Sequence, residues 1–182
     1  MSLPGDPVVE RVAATGSTNS DLLARVHAAA ARGATAFAPI LLVAGQQTAG
    51  RGRHGRRWHG AELASLTFSL AWPFARTDLS GLSLAIGVAL AEALEPTKGG
   101  ERIGLKWPND LWLLDADRDA SARPGRKLAG VLVETAPLAQ LRVAVIGVGL
   151  NVAAQSVADA ASGFASLAEI DAAATPATAL QR

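Results

Sequence analysis

The segment over residues 50–58, with the sequence GRGRHGRRW, constrains this chain more than any other stretch. It holds four of the chain's 17 Lys and Arg residues within seven positions, and no Asp or Glu occurs between Asp21 and Glu62. Glycine lets the backbone approach a ligand closely, and arginine offers a planar set of donors that fits carboxylate and phosphate. The segment therefore predicts an anion-binding loop between two regular elements.

Two common phosphate-binding motifs do not account for this loop. A Walker A loop needs Gly-Lys-Ser/Thr, which does not follow. Gly50, Gly52 and Gly55 have the glycine spacing of a dinucleotide fingerprint, but that fingerprint opens a helix, and the next predicted element here is a strand over 63–72. The later run over residues 147–151, GVGLN, is not a Rossmann signature either, because Val152 breaks the pattern.

Composition excludes several further classes. At 182 residues, one domain is expected, and 49% apolar residues suit a globular core. The chain has no cysteine, which excludes disulfide frameworks, thiolate zinc sites and cysteine nucleophiles. A net charge of +1 means that any nucleic-acid role would depend on the arginine loop alone. Without a visible signal peptide or a membrane-length apolar run, we expect a soluble, cytoplasmic protein without a membrane partner.

Hydrophobic periodicity predicts alternating strands and helices, with neither an internal repeat nor a long linker. The predicted strands cover residues 8–12, 39–44, 63–72, 103–106, 111–114, 127–135 and 141–148. One helix should run from a cap at Ser17 or Thr18 to near Gly33, and an apolar, buried core helix should cover 79–94. Residues 115–126 suggest a flexible hairpin loop, residues 156–170 short helical pieces, and residues 171–182 a further helix with Pro176 near its first position.

Polar residues collect at the ends of these strands and in the turns, and cationic and amide donors dominate. They are Ser17, Thr18, Asn19, Gln47, Lys106, Asn109, Asp110, Lys127 and Asn151. Neither a Ser-His-Asp arrangement nor histidines at metal-ligand spacing accompany them. The set suits a reaction that joins two anions, whose repulsion at about 4 Å is roughly 4 kcal/mol, or about a thousandfold in rate. A glycine-rich loop that orders only over the ligand would shield a labile product from water.

Each of these residues also has a purely structural interpretation. The Ser-Thr-Asn run can simply cap a helix, and Trp58 can anchor a core. Lys127 can be a solvated residue at a strand end, and Asp110 an ordinary turn residue after Pro108.

Four ordered motifs resemble those of biotin protein ligases. They are residues 50–58, Lys106-Trp107-Pro108-Asn109-Asp110-Leu111, the run KLAGVLVE over 127–134, and GVGLN over 147–151. The Ser17-Thr18-Asn19 run and the core helix at 81–87 fit the same catalytic domain, so the resemblance covers about residues 15–170. It implies an α+β fold, with a mixed sheet flanked by helices, related to class II aminoacyl-tRNA synthetase cores.

The resemblance also implies a reaction and a set of roles. Biotin and ATP would give biotinyl-5′-AMP with Mg²⁺, and a lysine of a biotin carboxyl carrier protein would then accept biotin. The implied biotin-binding residues are Ser17, Thr18, Asn19, Gln47, Arg51, Gly52, Arg53, Lys127 and Gly130. The implied ATP- or adenylate-binding residues are Arg53, Trp58, Lys106, Asn109, Lys127, Asn151 and Phe164. Arg53, Lys127 and Asp110 carry the implied catalytic roles, and Asp110 is also the implied Mg²⁺ ligand.

The resemblance sets expectations for the domains as well. No helix-turn-helix segment precedes the core, which indicates the monofunctional class without nucleic-acid binding. Residues 1–182 are expected to be one catalytic domain, truncated before the SH3-like barrel of the family, and a homodimer is an option. Three alternatives stay open: a lipoate or octanoate transferase, a biotin-binding fragment without transfer activity, and a nucleic-acid binder built on the arginine loop.

Overall fold

The computed structural model describes residues 5–75, 78–97, 100–115, 125–155 and 163–182. The strands are β1 (Val8–Thr15), β2 (Ile40–Gln47), β3 (Ser65–Phe74), β4 (Ile103–Lys106), β5 (Asp110–Leu113), β6 (Arg126–Leu138) and β7 (Leu141–Asn151). The helices are α1 (Thr18–Ala31), α2 (Leu82–Leu94) and α3 (Pro176–Leu180). Single 3-10 turns occur at Arg53–Gly55 and Leu167–Glu169.

The strands form one mixed sheet in the order β1-β2-β3-β7-β6-β5-β4. β1 pairs with β2 in parallel, whereas β2 with β3, β4 with β5, and β5 with β6 are antiparallel. This arrangement confirms the predicted mixed sheet with helices. Contact density divides the chain into two compact units. The first comprises Met1–Trp58, Thr67–Ser80 and Leu132–Val148, and the second comprises His59–Leu66, Gly81–Val131 and Gly149–Arg182.

The first unit is built around α1. Ser17 caps this helix, because its side chain accepts a hydrogen bond from the Ser20 N–H, as predicted. Leu22, Val26 and Ala29 follow at helical spacing and form its buried stripe. The helix ends before Gly33, whose φ of +74° suits glycine. The stripe packs in a core with residues of four strands: Leu42, Ala71, Ala136, Leu138, Val143 and Val145.

The second unit contains α2, which corrects one prediction. The apolar composition of residues 79–94 predicted a buried helix, but only Gly87 and Leu94 are buried within Leu82–Leu94. Leu84 is 38% and Val88 45% exposed. Gly87 lets the helix approach β4, because a Cβ there would lie 2.9 Å from Leu105 Cδ2. Composition alone could not show that one face of this helix would pack and the other would not.

The C-terminal predictions are met in part. Pro176 lies in the first turn of α3, as expected, but the helix covers only Pro176–Leu180 of the predicted 171–182, and its N-cap is Thr175. Most of the predicted hairpin loop at 115–126 falls on residues 116–124, which lie outside the described residues. Of the helical pieces predicted at 156–170, residues 156–162 also lie outside them, and the described remainder contains the 3-10 turn Leu167–Glu169.

Candidate functional site

The first turn of α1 buries three polar residues of the predicted site. Ser17, Thr18 and Asn19 are only 4%, 2% and 3% exposed. Their burial requires hydrogen-bond partners, because an unpaired buried polar group costs about 1–3 kcal/mol. Ser17 serves as the cap, and the partners of the other two define the centre of the first unit.

Thr18 fixes the orientation of Gln47 at the end of β2. The Thr18 N–H donates to Gln47 Oε1 over 2.7 Å, and Thr18 Oγ1 lies 3.0 Å from the same oxygen. Because Oε1 faces a backbone donor, the Nε2 donors of Gln47 are the end of the amide that a ligand can use. The start of the helix and the end of the strand are thus joined by these two contacts.

Ser69 of β3 joins the two α1 residues, and the sequence analysis missed it. Ser69 Oγ lies 2.6 Å from Thr18 Oγ1 and donates to Asn19 Oδ1 over 2.6 Å. Asn19 Nδ2 donates to Leu132 O at 3.3 Å and to Glu134 Oε2 at 3.0 Å, so the whole Asn19 amide is engaged. We call the connected set Gln47, Thr18, Ser69, Asn19, Glu134 and Arg51 the amide network.

A signal for Ser69 was present in the alternation of β3. Ser65, Thr67 and Ser69 occupy one face, and they are buried at 6%, 7% and 0% exposure. In an ordinary amphipathic strand, hydroxyl residues face water. Three consecutive buried hydroxyls indicate a polar interior, but only tertiary structure identifies their partners.

Gly147 of β7 gives Asn19 the space that it occupies. A Cβ at Gly147 would lie 2.9 Å from Asn19 Cγ, closer than side chains tolerate. We therefore expect Gly147→Ala to destabilise the protein by about 1–3 kcal/mol through forced displacement of the Asn19 amide. Denaturant unfolding measures this change. Gly16→Ala, where a Cβ meets nothing within 4 Å, is the control and should change stability by less than about 0.5 kcal/mol. Equal stability of the two variants would contradict the expected role of Gly147.

The arginine loop is a short hairpin. Trp58 N–H donates to Gly50 O at 3.0 Å, Arg51 pairs with Arg57, and Gly52 N–H donates to Arg56 O at 2.8 Å. His54 (φ 55°, ψ 35°) and Gly55 (φ 73°) form the turn, and both have the positive φ of a type I′ hairpin. The segment therefore has backbone pairing of its own. We call residues 50–58 the arginine hairpin.

The base of the arginine hairpin is tied to the amide network. Arg51 forms two hydrogen bonds with Glu134, Nη2 to Oε1 at 2.9 Å and Nη1 to Oε2 at 3.2 Å. Gly50 is buried and must be glycine, because a Cβ would lie 2.6 Å from Trp58 O. Trp58 itself is half-buried, so it is not the core anchor that one interpretation expected. Gly52 is half-buried, and Arg53 is exposed at the hairpin tip.

In the second unit, two of the three residues that were predicted to be catalytic, Lys127 and Asp110, are in contact. Lys127 Nζ lies 2.8 Å from Asp110 Oδ1, with the Lys127 side chain 30% and the Asp110 side chain 19% exposed. Gly130 pairs with Asp110 in the sheet, and a Cβ there would lie 3.4 Å from Lys127 Nζ. The absent side chain at Gly130 therefore leaves room beside the ion pair. A register shift between Leu111 and Trp112 brings Lys127 opposite Trp112.

Lys106 lies in the same unit, over the ring of Trp112. Its Nζ is 3.9 Å from the ring centroid, which is a cation–π contact. Trp112 is 7% exposed, and its Nε1–H has no hydrogen-bond partner among the residues described. Trp112 was not predicted as a site residue. The Lys106–Asp110 cross-strand register could have suggested it, because Trp112 follows Asp110 by two positions on the same face.

Two predicted amides brace the backbone of this unit. Asn109 Nδ2 donates to Val131 O at 2.8 Å, and Asn151 Nδ2 donates to Lys127 O at 3.3 Å and to Ala165 O at 3.1 Å. Gln155, which sequence reasoning missed, donates to Asn151 Oδ1 at 3.3 Å. Asn151 is therefore tied directly to the strand segment that carries Lys127.

Arg126 holds the segment that contains Phe164. Its Nη1 donates to Phe164 O at 3.0 Å, and its Nη2 forms ion pairs with Glu169 at 2.7 Å and Asp115 at 3.4 Å. The hydrogen bond with Glu169 raises the pKa of Arg126 above its ordinary value, against the effect of burial. For Glu169, burial raises the pKa, but hydrogen bonds from Arg126 and the Ser166 backbone outweigh it and lower the pKa below 4.5.

The ion pair between Arg126 and Glu169 predicts that the stability of the protein depends on pH. Because the folded-state pKa of Glu169 is lowered, its contribution is present above the unfolded value near 4.5 and is lost as pH falls through the folded value. We expect the wild type to lose more thermal stability than Glu169→Gln between about pH 6 and pH 3. Melting temperatures over that range test this. If the melting temperatures of the two proteins fall in parallel over this pH range, the Arg126–Glu169 ion pair does not contribute to stability.

The described ranges contain neither a cluster of metal ligands nor a helix of membrane-spanning length. Among these residues, no group of three His, Cys, Asp or Glu side chains could hold a metal ion. No helix in the same ranges has the length and apolarity to cross a membrane.

Comparisons with known proteins show which family the sequence of this chain resembles. Residues 29–151 match the sequence profile described as the "Biotin/lipoate A/B protein ligase family". The chain is 43% identical over 121 residues to the "Bifunctional ligase/repressor BirA" of Salmonella typhimurium, covering 63% of this chain and 33% of that protein. It is 42% identical over 146 residues to the "Biotin--[acetyl-CoA-carboxylase] ligase" of Mycobacterium tuberculosis, covering 78% of this chain and 48% of that protein.

A solved structure shows the same fold. The Aquifex aeolicus biotin protein ligase in complex with biotin and ATP superposes with a TM-score of 0.68 at 26% identity, covering 96% of this chain and 66% of that chain. The present chain thus spans between a third and a half of the length of the two relatives above.

Proposed function

Because the chain belongs to the biotin/lipoate A/B protein ligase family, we propose that it carries the catalytic core of a biotin protein ligase. The reaction is the ATP-dependent activation of biotin, followed by transfer of biotin to a lysine of a biotin carboxyl carrier protein. The observation that carries this proposal is the Lys127–Asp110 pair at 2.8 Å beside Gly130, within a family match that also includes the arginine hairpin.

In the first step, a biotin carboxylate oxygen attacks the α-phosphorus of ATP. A carboxylate–phosphorus bond forms, the bond to the bridging oxygen breaks, and pyrophosphate leaves as biotinyl-5′-AMP is made. Lys127 is the cation that offsets the repulsion between the two anions. Asp110 holds the Lys127 ammonium in position, with Nζ 2.8 Å from Oδ1.

In the second step, the neutral amine of the acceptor lysine attacks the carbonyl carbon of the adenylate. An amide bond forms, AMP leaves, and the amine proton passes to a base. We assign this base to Asp110, whose carboxylate accepts the amine proton. Its partner Lys127 faces the departing phosphate in this step.

The amide network suits the ureido ring of biotin, which offers one carbonyl and two N–H groups. Gln47 and the Ser17 and Thr18 hydroxyls supply the matching polar groups, and the engaged Asn19 amide keeps them in place. Arg51, Gly52 and Arg53 of the arginine hairpin cover biotin and the phosphates of the nucleotide. Burial of these polar groups favours a ligand that satisfies them over a purely aliphatic acid.

The adenylate binds through a second set of side chains. Arg53 holds the phosphate of the adenylate, and Lys106 binds the triphosphate of ATP. Trp58 and Phe164 pack against the nucleotide, while Asn109 and Asn151 present amides toward it. Since both amides also brace the backbone, part of their effect on binding comes from positioning Lys127 and Val131.

Mg²⁺ would enter with ATP. Asp110 is the carboxylate beside Lys127, and a single carboxylate ligand fits an ion that is bound mainly by substrate phosphates and water. The ion would spread the negative charge of the triphosphate. We place the reaction in the cytoplasm, where ATP and acceptor proteins are available. The proposed reaction involves no nucleic-acid partner, and it is compatible with a homodimer.

The test is biotin-dependent release of pyrophosphate by this 182-residue chain with Mg-ATP, followed by addition of the apo carrier protein. Release with transfer supports the complete reaction. Release without transfer limits the chain to adenylate formation, and binding of biotin without release makes it a binding fragment. The family profile also spans lipoate ligases, so lipoate and octanoate are assayed in parallel. Release with either acid, but not with biotin, would replace the proposed substrate.

A further inference from the structure

Glu134 of β6 accepts hydrogen bonds from two elements of the site at once. Arg51 Nη2 lies 2.9 Å from its Oε1, and Arg51 Nη1 and Asn19 Nδ2 lie 3.2 Å and 3.0 Å from its Oε2. Both carboxylate oxygens are therefore engaged, one of them twice. No family motif used above assigned Glu134 a role.

The two donors belong to different parts of the amide network. Arg51 is the second residue of the arginine hairpin, and its Nη1 also lies 3.3 Å from Ser20 Oγ of α1. Asn19 is the buried residue whose Oδ1 accepts from Ser69. Glu134 thus connects the base of the hairpin to the first turn of α1, and through Asn19 and Ser69 to Thr18 and Gln47.

We propose that Glu134 is a positioning residue for the ligand, one that fixes the arginine hairpin and the Asn19 carboxamide relative to each other before the ligand binds. This inference rests on the proposed function for the identity of the ligand, which is biotin. Glu134 touches no reacting atom. It acts by lowering the ordering cost of binding, because a loop that is already held need not be immobilised by the ligand.

A comparison within the same unit separates this role from that of an ordinary surface ion pair. Arg25 and Glu10 also form a two-bond pair, at 2.9 and 2.8 Å, with side chains that are 40% and 37% exposed. Glu134 is less exposed, at 24%, and shares its charge with a buried amide that Glu10 lacks. Exposed pairs contribute little to global stability, so the effect of Glu134 should appear in ligand binding.

The experiment measures the biotin dissociation constant by calorimetry for the wild type, Glu134→Gln, Arg51→Ala, the double variant and the control Glu10→Gln. Glutamine keeps one acceptor for Asn19 but loses the charge that holds Arg51. We expect Glu134→Gln to weaken biotin binding about tenfold, Glu10→Gln to leave it unchanged, and Glu134→Gln to add little once Arg51 is alanine. Equal dissociation constants for wild type and Glu134→Gln, or full additivity with Arg51→Ala, would overturn the proposal.

Trypsin cleavage of the ligand-free protein provides a readout that does not depend on biotin. The arginine hairpin contains four cleavage sites, and release of Arg51 should expose them. We expect faster cleavage within residues 50–58 in Glu134→Gln than in the wild type or Glu10→Gln. If the wild type does not bind biotin, the proposed function fails, and cleavage alone decides: equal rates for all three proteins would overturn the positioning role of Glu134.

Discussion

Lys127→Ala is expected to reduce biotin-dependent pyrophosphate release by about a thousandfold. The estimate follows from the repulsion between a carboxylate and a phosphate at about 4 Å, roughly 4 kcal/mol at an effective dielectric near 20, which the lysine offsets in the transition state. Its half-buried position beside Asp110 makes this charge more effective than an exposed one. Single-turnover pyrophosphate release, at saturating biotin and ATP, measures the chemical step directly.

The control for lost charge is Arg11→Ala, an exposed cation of β1 that should leave release unchanged. Lys127→Arg keeps the charge but replaces a compact ammonium by a planar group, and we expect only partial activity from it. Release from Lys127→Ala within a few-fold of the wild-type rate would show that Lys127 is the solvated strand-end residue of the alternative interpretation.

Arg53→Gly is expected to make the protein lose biotinyl-5′-AMP about a hundredfold faster, with a smaller effect on biotin affinity. A charge-assisted bond from a guanidinium to phosphate is worth about 1.5–3 kcal/mol, which corresponds to roughly ten- to over a hundredfold in dissociation. Biotin alone carries no phosphate, so the two ligands should respond differently. Trapping of released adenylate, compared with calorimetric biotin binding, measures both quantities on the same variant.

Glycine also loosens the backbone, so the control introduces the same freedom without removing the guanidinium. His54→Gly does this at the adjacent position, where φ is already positive and glycine relieves strain. If His54→Gly leaks adenylate as fast as Arg53→Gly, flexibility of the arginine hairpin causes the loss, and Arg53 does not hold the phosphate.

Local sequence signals predicted most of the fold. The cap at Ser17, the stop at Gly33 and the proline at the start of α3 depend on neighbours within a few residues, and all three are confirmed. The seven strands were also predicted, and every observed boundary lies within three residues of the predicted one. The exposed face of α2 was missed because the helix is apolar on every side.

The site was predicted less completely, because its partners are far apart in sequence. Thr18 and Gln47 are separated by 29 residues, and their pairing could be proposed from a helix start and a strand end. Asn19 and Glu134 are separated by 115 residues, and only the paired strands bring them together. Ser69 and Trp112 were overlooked for the same reason, since a hydroxyl or an indole has no local signature of its partner.

The sequence separations between the residues of the amide network affect the order in which its contacts can form during synthesis. The contacts of Thr18 with Gln47 and Ser69 can form once β3 has left the ribosome, but the Asn19–Glu134 contact must wait for about 65 further residues. While the intervening segment of the second unit is synthesised, the Asn19 carboxamide of α1 is exposed to water, although it is buried in the folded protein. Under the proposed function, biotin binding at full strength is therefore expected only of chains in which β6 has been synthesised.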